Sequence, residues 1–428
     1  MIKLQQASAT GLHGDITVPG DKSISHRALM FGAMAEGVTE IEDILLSADV
    51  LHTMGVFQAL GVKIEQTGQQ MRVFGQGLTH FQAPKQPLDM GNSGTSTRLL
   101  MGLLSKQPFD LPMIGDASLS KRPLNRVAQP LSAMGAQFEL SPGGLLPGTI
   151  KANQTLQGIT YEMPVASAQV KSAILLAGMQ AAGTTTVIEK LPSRDHTERM
   201  LRQFGGHIDA DAGVIKISQQ PVLQAQHIQV PGDISSAAFF LVAGLITPNS
   251  KLVLQRVGVN STRTGILQLL ARMGADIQIE ELASQGEPVA NLTVTSQPLH
   301  GIQITAADIP GAVDELPILA LAATQASGDT LITGAEELRV KETDRIATVV
   351  TELTKLGANI EERPDGMLIH GGTQLHAQQV VLDSHGDHRI GMMNAVAALI
   401  TTGEVSLTGA EAMSVSYPNF LQDLATVM

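Results

Sequence analysis

Apolar positions along the chain fall into two kinds of stretch that recur with a long period. The first kind is apolar on most faces and rich in Ala, Gly and Met: Ala28 to Ala35, Ser96 to Leu104, Val170 to Ala181, Ser235 to Leu245, Leu316 to Thr324 and Ile390 to Ile400. A helix that is apolar all round is a buried helix. The second kind ends in glycine and runs into a segment of period two, as in Leu60-Gly61-Val62-Lys63-Ile64 and Met273-Gly274-Ala275-Asp276-Ile277. Such glycines stand at 61, 135, 205, 274 and 357, spaced 74, 70, 69 and 83 apart. Glycine just past a helix is the expected C-terminal cap, because it takes positive φ without a Cβ clash. The pattern predicts six β-α-β-α-β units of roughly 70 residues. The last, which ends in a helix over Asn419 to Met428, lacks its closing strand.

A second repetition divides the chain. Val18-Pro19-Gly20-Asp21-Lys22-Ser23 returns as Val230-Pro231-Gly232-Asp233-Ile234-Ser235-Ser236, 212 residues later. Two halves of three units each follow, one over residues 21–231 and one over 1–20 plus 232–428, with crossovers near Gly20 and Gly232. The stretch Ile2 to Val18 precedes the first crossover and is expected to be a strand of the second half. Helices buried and sheets outside is the arrangement this α/β pattern favours.

Composition narrows the function. The net charge of −12 and an aromatic content of 3%, with no Trp, disfavour nucleic acid and anionic membranes as partners. An anionic substrate must then be held by local cations. The absence of cysteine removes disulfides, thiolate metal sites and a cysteine nucleophile, and fits a reducing, cytoplasmic setting. Neither an apolar leader nor an apolar run of about 20 residues is present.

Candidate chemistry sits where the buried helices begin. Lys22, Ser23, Ser25 and Arg27 open the first; unpartnered N–H groups and the dipole make such a start an anion site. Asp89 to Arg98 is a Gly-rich loop before a helix, either an anion cradle or a plain turn, and lacks the spacing of a P-loop. Lys121 and Arg122 are expected to open a helix, as a solvated pair or around an anion. Ser167, Gln169 and Lys171 start another helix, and Ser193 precedes one as a candidate N-cap. Asp314 and Glu315 head an apolar helix, as dipole-friendly caps or with one as a general base. Lys341 and Arg345, four apart beside Glu342, suit one helical face, either solvated or catalytic. His385 and His388 are too few for a metal site, and no metal is expected.

Taken together, Pro19 to Arg27, Gly91 to Arg98, Lys121 to Pro123, Ser167 to Gln169, Asp314 to Pro317, Lys341 to Arg345 and Asp387 to Arg389 resemble, in order, the motifs of the 5-enolpyruvylshikimate-3-phosphate (EPSP) synthase family. The resemblance covers nearly the whole chain. It implies a two-domain inside-out α/β barrel, each domain of three βαβαββ repeats around buried parallel helices, with the active site in the cleft between domains. It implies transfer of the enolpyruvyl group of phosphoenolpyruvate to the 5-hydroxyl of 3-phosphoshikimate, with release of phosphate, in aromatic amino acid biosynthesis. No cofactor and a monomer are expected. For 3-phosphoshikimate it implies Lys22, Ser23, Arg27, Ser167, Ala168, Gln169, Arg194, Asp314 and Lys341. For phosphoenolpyruvate it implies Lys22, Asn92, Gly94, Thr95, Arg122, Gln169, Arg345 and Arg389, with His388 and Glu337 as further candidates. Asp314 is implied as base, Glu342 as acid and Lys22 as a proton shuttle.

Several positions depart from the enterobacterial and plant pattern. Ala168 replaces a second serine, Glu337 an asparagine and His196 a tyrosine, and Met413 to Pro418 lacks the usual lysine. These look like the second class of the family, often less sensitive to glyphosate, although Gly94 adds no methyl to exclude that inhibitor. The alternative acceptor is UDP-N-acetylglucosamine; the sister enzymes that use it often carry a loop cysteine, which is absent here. A nucleic-acid cyclase fits the charge poorly, and an inactive scaffold fits the full set of cations poorly.

Overall fold

The computed structural model describes all 428 residues, Met1–Met428. The chain divides into two units. One comprises Gly20–Val230 with Gln285–Glu287; the other comprises Met1–Pro19, Pro231–Ser284 and Pro288–Met428.

The Gly20–Val230 unit carries three four-stranded sheets of one design. In the first, Glu36–Glu42 pairs parallel with His227–Gln229 and antiparallel with Gln70–Gln76, which pairs antiparallel with Lys63–Thr67. A parallel pair needs a crossover, and in the second and third sheets the buried helix supplies it: Gly94–Leu103 links Leu88–Asp89 to Leu111–Ile114, and Ala168–Gly178 links Thr160–Glu162 to Thr184–Ile188. A second helix then leads into an antiparallel hairpin. The second and third repeats therefore run strand–helix–strand–helix–strand–strand, one strand more than the hydrophobic pattern reveals, and the first takes its lead strand, His227–Gln229, from the end of the unit. The extra strand follows a tight turn and carries no helix to announce it.

The other unit holds two sheets of this design and one of three strands. Here the expected strand from Ile2 to Val18 is corrected. It is two strands, Ile2–Lys3 and His13–Ile16, that serve different sheets. Ile2–Lys3 runs antiparallel to Val405–Thr408 and stands in for the hairpin the sixth repeat lacks. His13–Ile16 runs parallel to Lys251–Gly258 as lead strand of the fourth repeat. Turn residues between them (Thr10-Gly11, with Gly11 at φ 81°) break the run. All six sheets are separate, so "inside-out" describes the layering and not a closed barrel.

The five glycines of the repeat all adopt positive φ, from 86° to 100°, as helix termination requires. The helices Lys22–Met34, Gly94–Leu103, Ala168–Gly178, Ile234–Ile246, Leu316–Gln325 and His388–Ile400 are buried on nearly every face. The second helix of each repeat, such as Arg345–Lys355, buries one face only. Close approach between inner helices depends on Gly102, where a Cβ would lie 2.0 Å from the Ala173 carbonyl oxygen. Alanine gains about 1 kcal/mol of helix propensity over glycine. A clash with backbone cannot be relieved by a rotamer, and overpacking costs about 1–3 kcal/mol. Gly102→Ala is therefore expected to lower the urea midpoint; an unchanged or higher midpoint would show that the helices separate freely. No helix is long and apolar enough to cross a membrane.

Candidate active site

In the Gly20–Val230 unit, Asp21 caps the first inner helix by accepting from the Ile24 N–H at 2.9 Å. This fixes Lys22 and Ser23 on its first turn. Lys22 Nζ lies 2.5 Å from Asp49 Oδ2, on the outer helix Ala48–Ala59. Arg27 is buried one turn on. Its Nε donates to Thr197 Oγ1 and its Nη2 to Ser172 Oγ, each at 2.8 Å. Burial lowers the Arg27 pKa to about 10, against the pull of Glu198 and Asp21 and with a push from the nearby Arg194. Arg194 thus adds positive charge to the surroundings of Arg27. His196 is buried with Nδ1 2.7 Å from Glu287.

The Gly-rich loop makes a second cluster. Ser93 caps the helix Gly94–Leu103 by accepting from the Ser96 N–H. Arg98 Nη1 donates to Gln169 Oε1 at 3.1 Å, and Gln169 Nε2 donates to Thr95 Oγ1 at 3.1 Å. The two inner helices are tied here, at the ends that carry Gly94 and Ala168. Ser167 caps the second of them, accepting from Val170 N–H at 3.4 Å, which leaves Ala168 and Gln169 on its first turn. Asn92 accepts from Arg122 Nη2 at 3.0 Å and donates to Asp116 at 2.7 Å. Burial, then Arg122 and Arg126, lowers the Arg98 pKa. Cations crowd at this point without matching carboxylates.

One expectation fails here. Lys121 and Arg122 do not open a helix; they end the 3₁₀ turn Leu119–Lys121, and the next helix begins at Asn125. The Lys121-Arg122-Pro123 order explains this, since proline disfavours helix at the residue before it. Ser193 is likewise not a cap: its Oγ donates to Glu189, and Asp195 precedes the helix His196–Gln203.

The other unit holds the carboxylates. Arg345 is buried, and Nε donates to Asp387 Oδ2 at 2.7 Å, Nη2 to Glu342 Oε2 at 2.6 Å and Nη1 to Asp314 Oδ1 at 3.4 Å. Three carboxylates therefore share one guanidinium, whose pKa rises against the cost of burial. Burial works to raise the Glu342 carboxyl, but Arg345 holds it down to about 2. Its side chain keeps 37% of its surface exposed, unlike Arg345 beneath it. Arg389 Nη2 lies 3.7 Å from Asp314 Oδ2, and its buried Nε has no hydrogen-bond partner. His388 is pushed down to about 3 by burial, Arg389 and Arg345, and is neutral.

Lys341 stands apart from this set. Asp344 caps the helix Arg345–Lys355, so Lys341 and Arg345 do not share a helical face. Lys341 is extended and pairs with Glu337 at 2.5 Å. The sequence showed the cation-rich helix starts but not Asp49 or Asp387 as partners of Lys22 and Arg345. Asp49 looks like an ordinary first-turn acid, and Asp387 like a helix cap, which it also is, accepting from the Arg389 N–H at 2.9 Å.

Six strand–helix repeats with buried helices, and helix starts that carry clustered arginines and carboxylates, define an α/β protein whose charges suit small anionic molecules. The model of the EPSP synthase family (3-phosphoshikimate 1-carboxyvinyltransferase) matches residues 7–424. The chain belongs to the EPSP synthase family. A Leuconostoc mesenteroides protein named 3-phosphoshikimate 1-carboxyvinyltransferase is 70% identical over 429 residues, covering 100% of this chain and 99% of that protein. One of the same name from Leuconostoc citreum is 69% identical over 430 residues, with 100% of each covered. Among solved structures, EPSP synthase from Acinetobacter baumannii matches with a TM-score of 0.90 at 44% identity, covering 100% of this chain and 97% of that chain.

Proposed function

We propose that this chain transfers the enolpyruvyl group of phosphoenolpyruvate to the 5-hydroxyl of 3-phosphoshikimate and releases phosphate. The family and its relatives support this acceptor over UDP-N-acetylglucosamine. The observation that carries the chemistry is Arg345, buried and shared by Asp314 and Glu342, with Arg389 beside them.

In this reading Arg27, Arg194, Ser23, Ser167, Ala168, Gln169 and Lys341 hold 3-phosphoshikimate. Asn92, Gly94, Thr95, Arg122, Gln169, Arg345 and Arg389 hold phosphoenolpyruvate, and Lys22 touches both. Asp314 takes the proton of the 5-hydroxyl as its oxygen bonds to C2 of the enol. Glu342 delivers a proton to C3, giving a tetrahedral adduct. Loss of a C3 proton then expels phosphate from C2 and restores the double bond. Glu342 is ionised while Arg345 pairs with it. An anionic substrate on Arg345 competes for that charge and raises the carboxyl toward an acid's range. Product analysis tests the reaction: each 3-phosphoshikimate consumed gains an enolpyruvyl ether and frees one phosphate. Consumption of phosphoenolpyruvate without that ether would contradict it.

Gly94 gives a local test. A Cβ there would lie 2.6 Å from Arg98 Nη1 and 3.9 Å from Arg122 Nη1. Gly94→Ala therefore pushes Arg98 from its place on Gln169 and sets a methyl in contact with Arg122. The KM for phosphoenolpyruvate is expected to rise about tenfold, with that for 3-phosphoshikimate nearly unchanged. Equal changes in both would place Gly94 outside the phosphoenolpyruvate contacts.

A further inference from the structure

The second Val-Pro-Gly-Asp copy lacks the lysine of the first, and its sequence marks it as a structural twin. The structure gives it a different task. Asp233 caps the helix Ile234–Ile246, accepting from the Ser235 N–H at 2.8 Å. Arg263 Nη2 donates to Asp233 Oδ1 at 3.0 Å and to Ser235 Oγ at 2.8 Å. Ser235 Oγ, its lone pair so engaged, turns its own proton to Glu315 Oε1 in a short contact. Asp233, Ser235, Arg263 and Glu315 are all buried.

Glu315 precedes the helix Leu316–Gln325 but makes no capping bond with its side chain. Its carboxylate turns instead toward Ser235 on one side and Arg389 Nη1, 3.9 Å away, on the other. The carboxyl is pushed up, by burial first and also by Asp314, against the pull of Arg389 and Arg263. Arg389 meets neither Glu315 nor Asp314 at hydrogen-bond distance, and its buried Nε has no partner. Its guanidinium thus lies between two carboxylates, neither of which takes up its donors.

We infer that Glu315 is a positioning residue for Arg389, held in place by the buried relay Asp233–Arg263–Ser235 from the second motif copy. This rests on the reading of Arg389 as a phosphoenolpyruvate ligand. Ser235 occupies the place of Ser23 in the first copy, so duplication has left one serine on the substrate side and one behind an arginine.

Steady-state kinetics of Glu315→Gln, Ser235→Ala, Ser235→Thr and the Glu315→Gln/Ser235→Ala double variant test the relay, each checked by thermal unfolding. Glu315→Gln and Ser235→Ala are expected to raise the KM for phosphoenolpyruvate, the former by about tenfold, with that for 3-phosphoshikimate within about twofold. Ser235→Thr restores the hydroxyl and most of the affinity. The double variant matches Glu315→Gln alone, because Ser235 acts through Glu315. An unchanged KM in either folded single variant, or additive losses in the double variant, overturns the relay. Arg389→Lys separates the two levels: a raised KM there with none in Glu315→Gln refutes the relay alone, and no change in Arg389→Lys refutes the ligand reading beneath it.

Discussion

Asp314→Asn is expected to lower kcat about a thousandfold, within the range of about 10²–10⁴ typical of a lost general base, while 3-phosphoshikimate still binds. The amide keeps the shape of the side chain but cannot accept the hydroxyl proton. Arg345 loses little by the change. Arg345 retains Glu342 and Asp387 at 2.6 and 2.7 Å, closer than the 3.4 Å to Asp314. The defect should therefore lie in kcat and not in folding, and calorimetric titration of 3-phosphoshikimate separates the two. Unchanged turnover would remove Asp314 from the mechanism; lost binding with it would make Asp314 a ligand only.

Arg345→Gln should damage both stability and turnover. Its guanidinium is 1% exposed and compensates Asp314, Glu342 and the fully buried Asp387. Removing one partner of a buried ion pair costs about 3–5 kcal/mol, because the remaining charge stays desolvated. Denaturant unfolding should show a loss of that order, and phosphoenolpyruvate turnover should become hard to detect. The acid limb of stability should change as well. Glu342 is held at about 2 in the folded chain, below an unfolded carboxyl near about 4.3. A depressed folded value contributes stability that is present above the unfolded value and lost as pH falls through about 2. Without Arg345 that contribution is missing, so the variant's stability should depend less steeply on pH below about 4. A parallel pH profile for wild type and variant would show that Arg345 does not hold Glu342.

The repeat was legible because burial and helix termination both write themselves into sequence. Apolar residues on every face mark Gly94–Leu103 and Ile234–Ile246, and Gly61 or Gly274 marks where the following helix stops. Partner choice across the fold was not legible. Asp49 meets Lys22 and Glu315 meets Ser235 only after helices distant in sequence are packed. Local rules also misled where a motif ran through a break. Lys341 and Arg345 look like one helical face until Asp344 caps the helix between them, and Lys121-Arg122 looks like a helix start until Pro123 delays it. The N-terminal stretch failed for a related reason: two short strands for two sheets resemble one long strand when only alternation is counted.

Phosphate release with purified enzyme tests the choice of acceptor most directly. Phosphoenolpyruvate should be incubated in parallel with 3-phosphoshikimate and with UDP-N-acetylglucosamine. Phosphate should appear in step with 3-phosphoshikimate consumed, and none above background with the nucleotide sugar. Release with UDP-N-acetylglucosamine and none with 3-phosphoshikimate would contradict it.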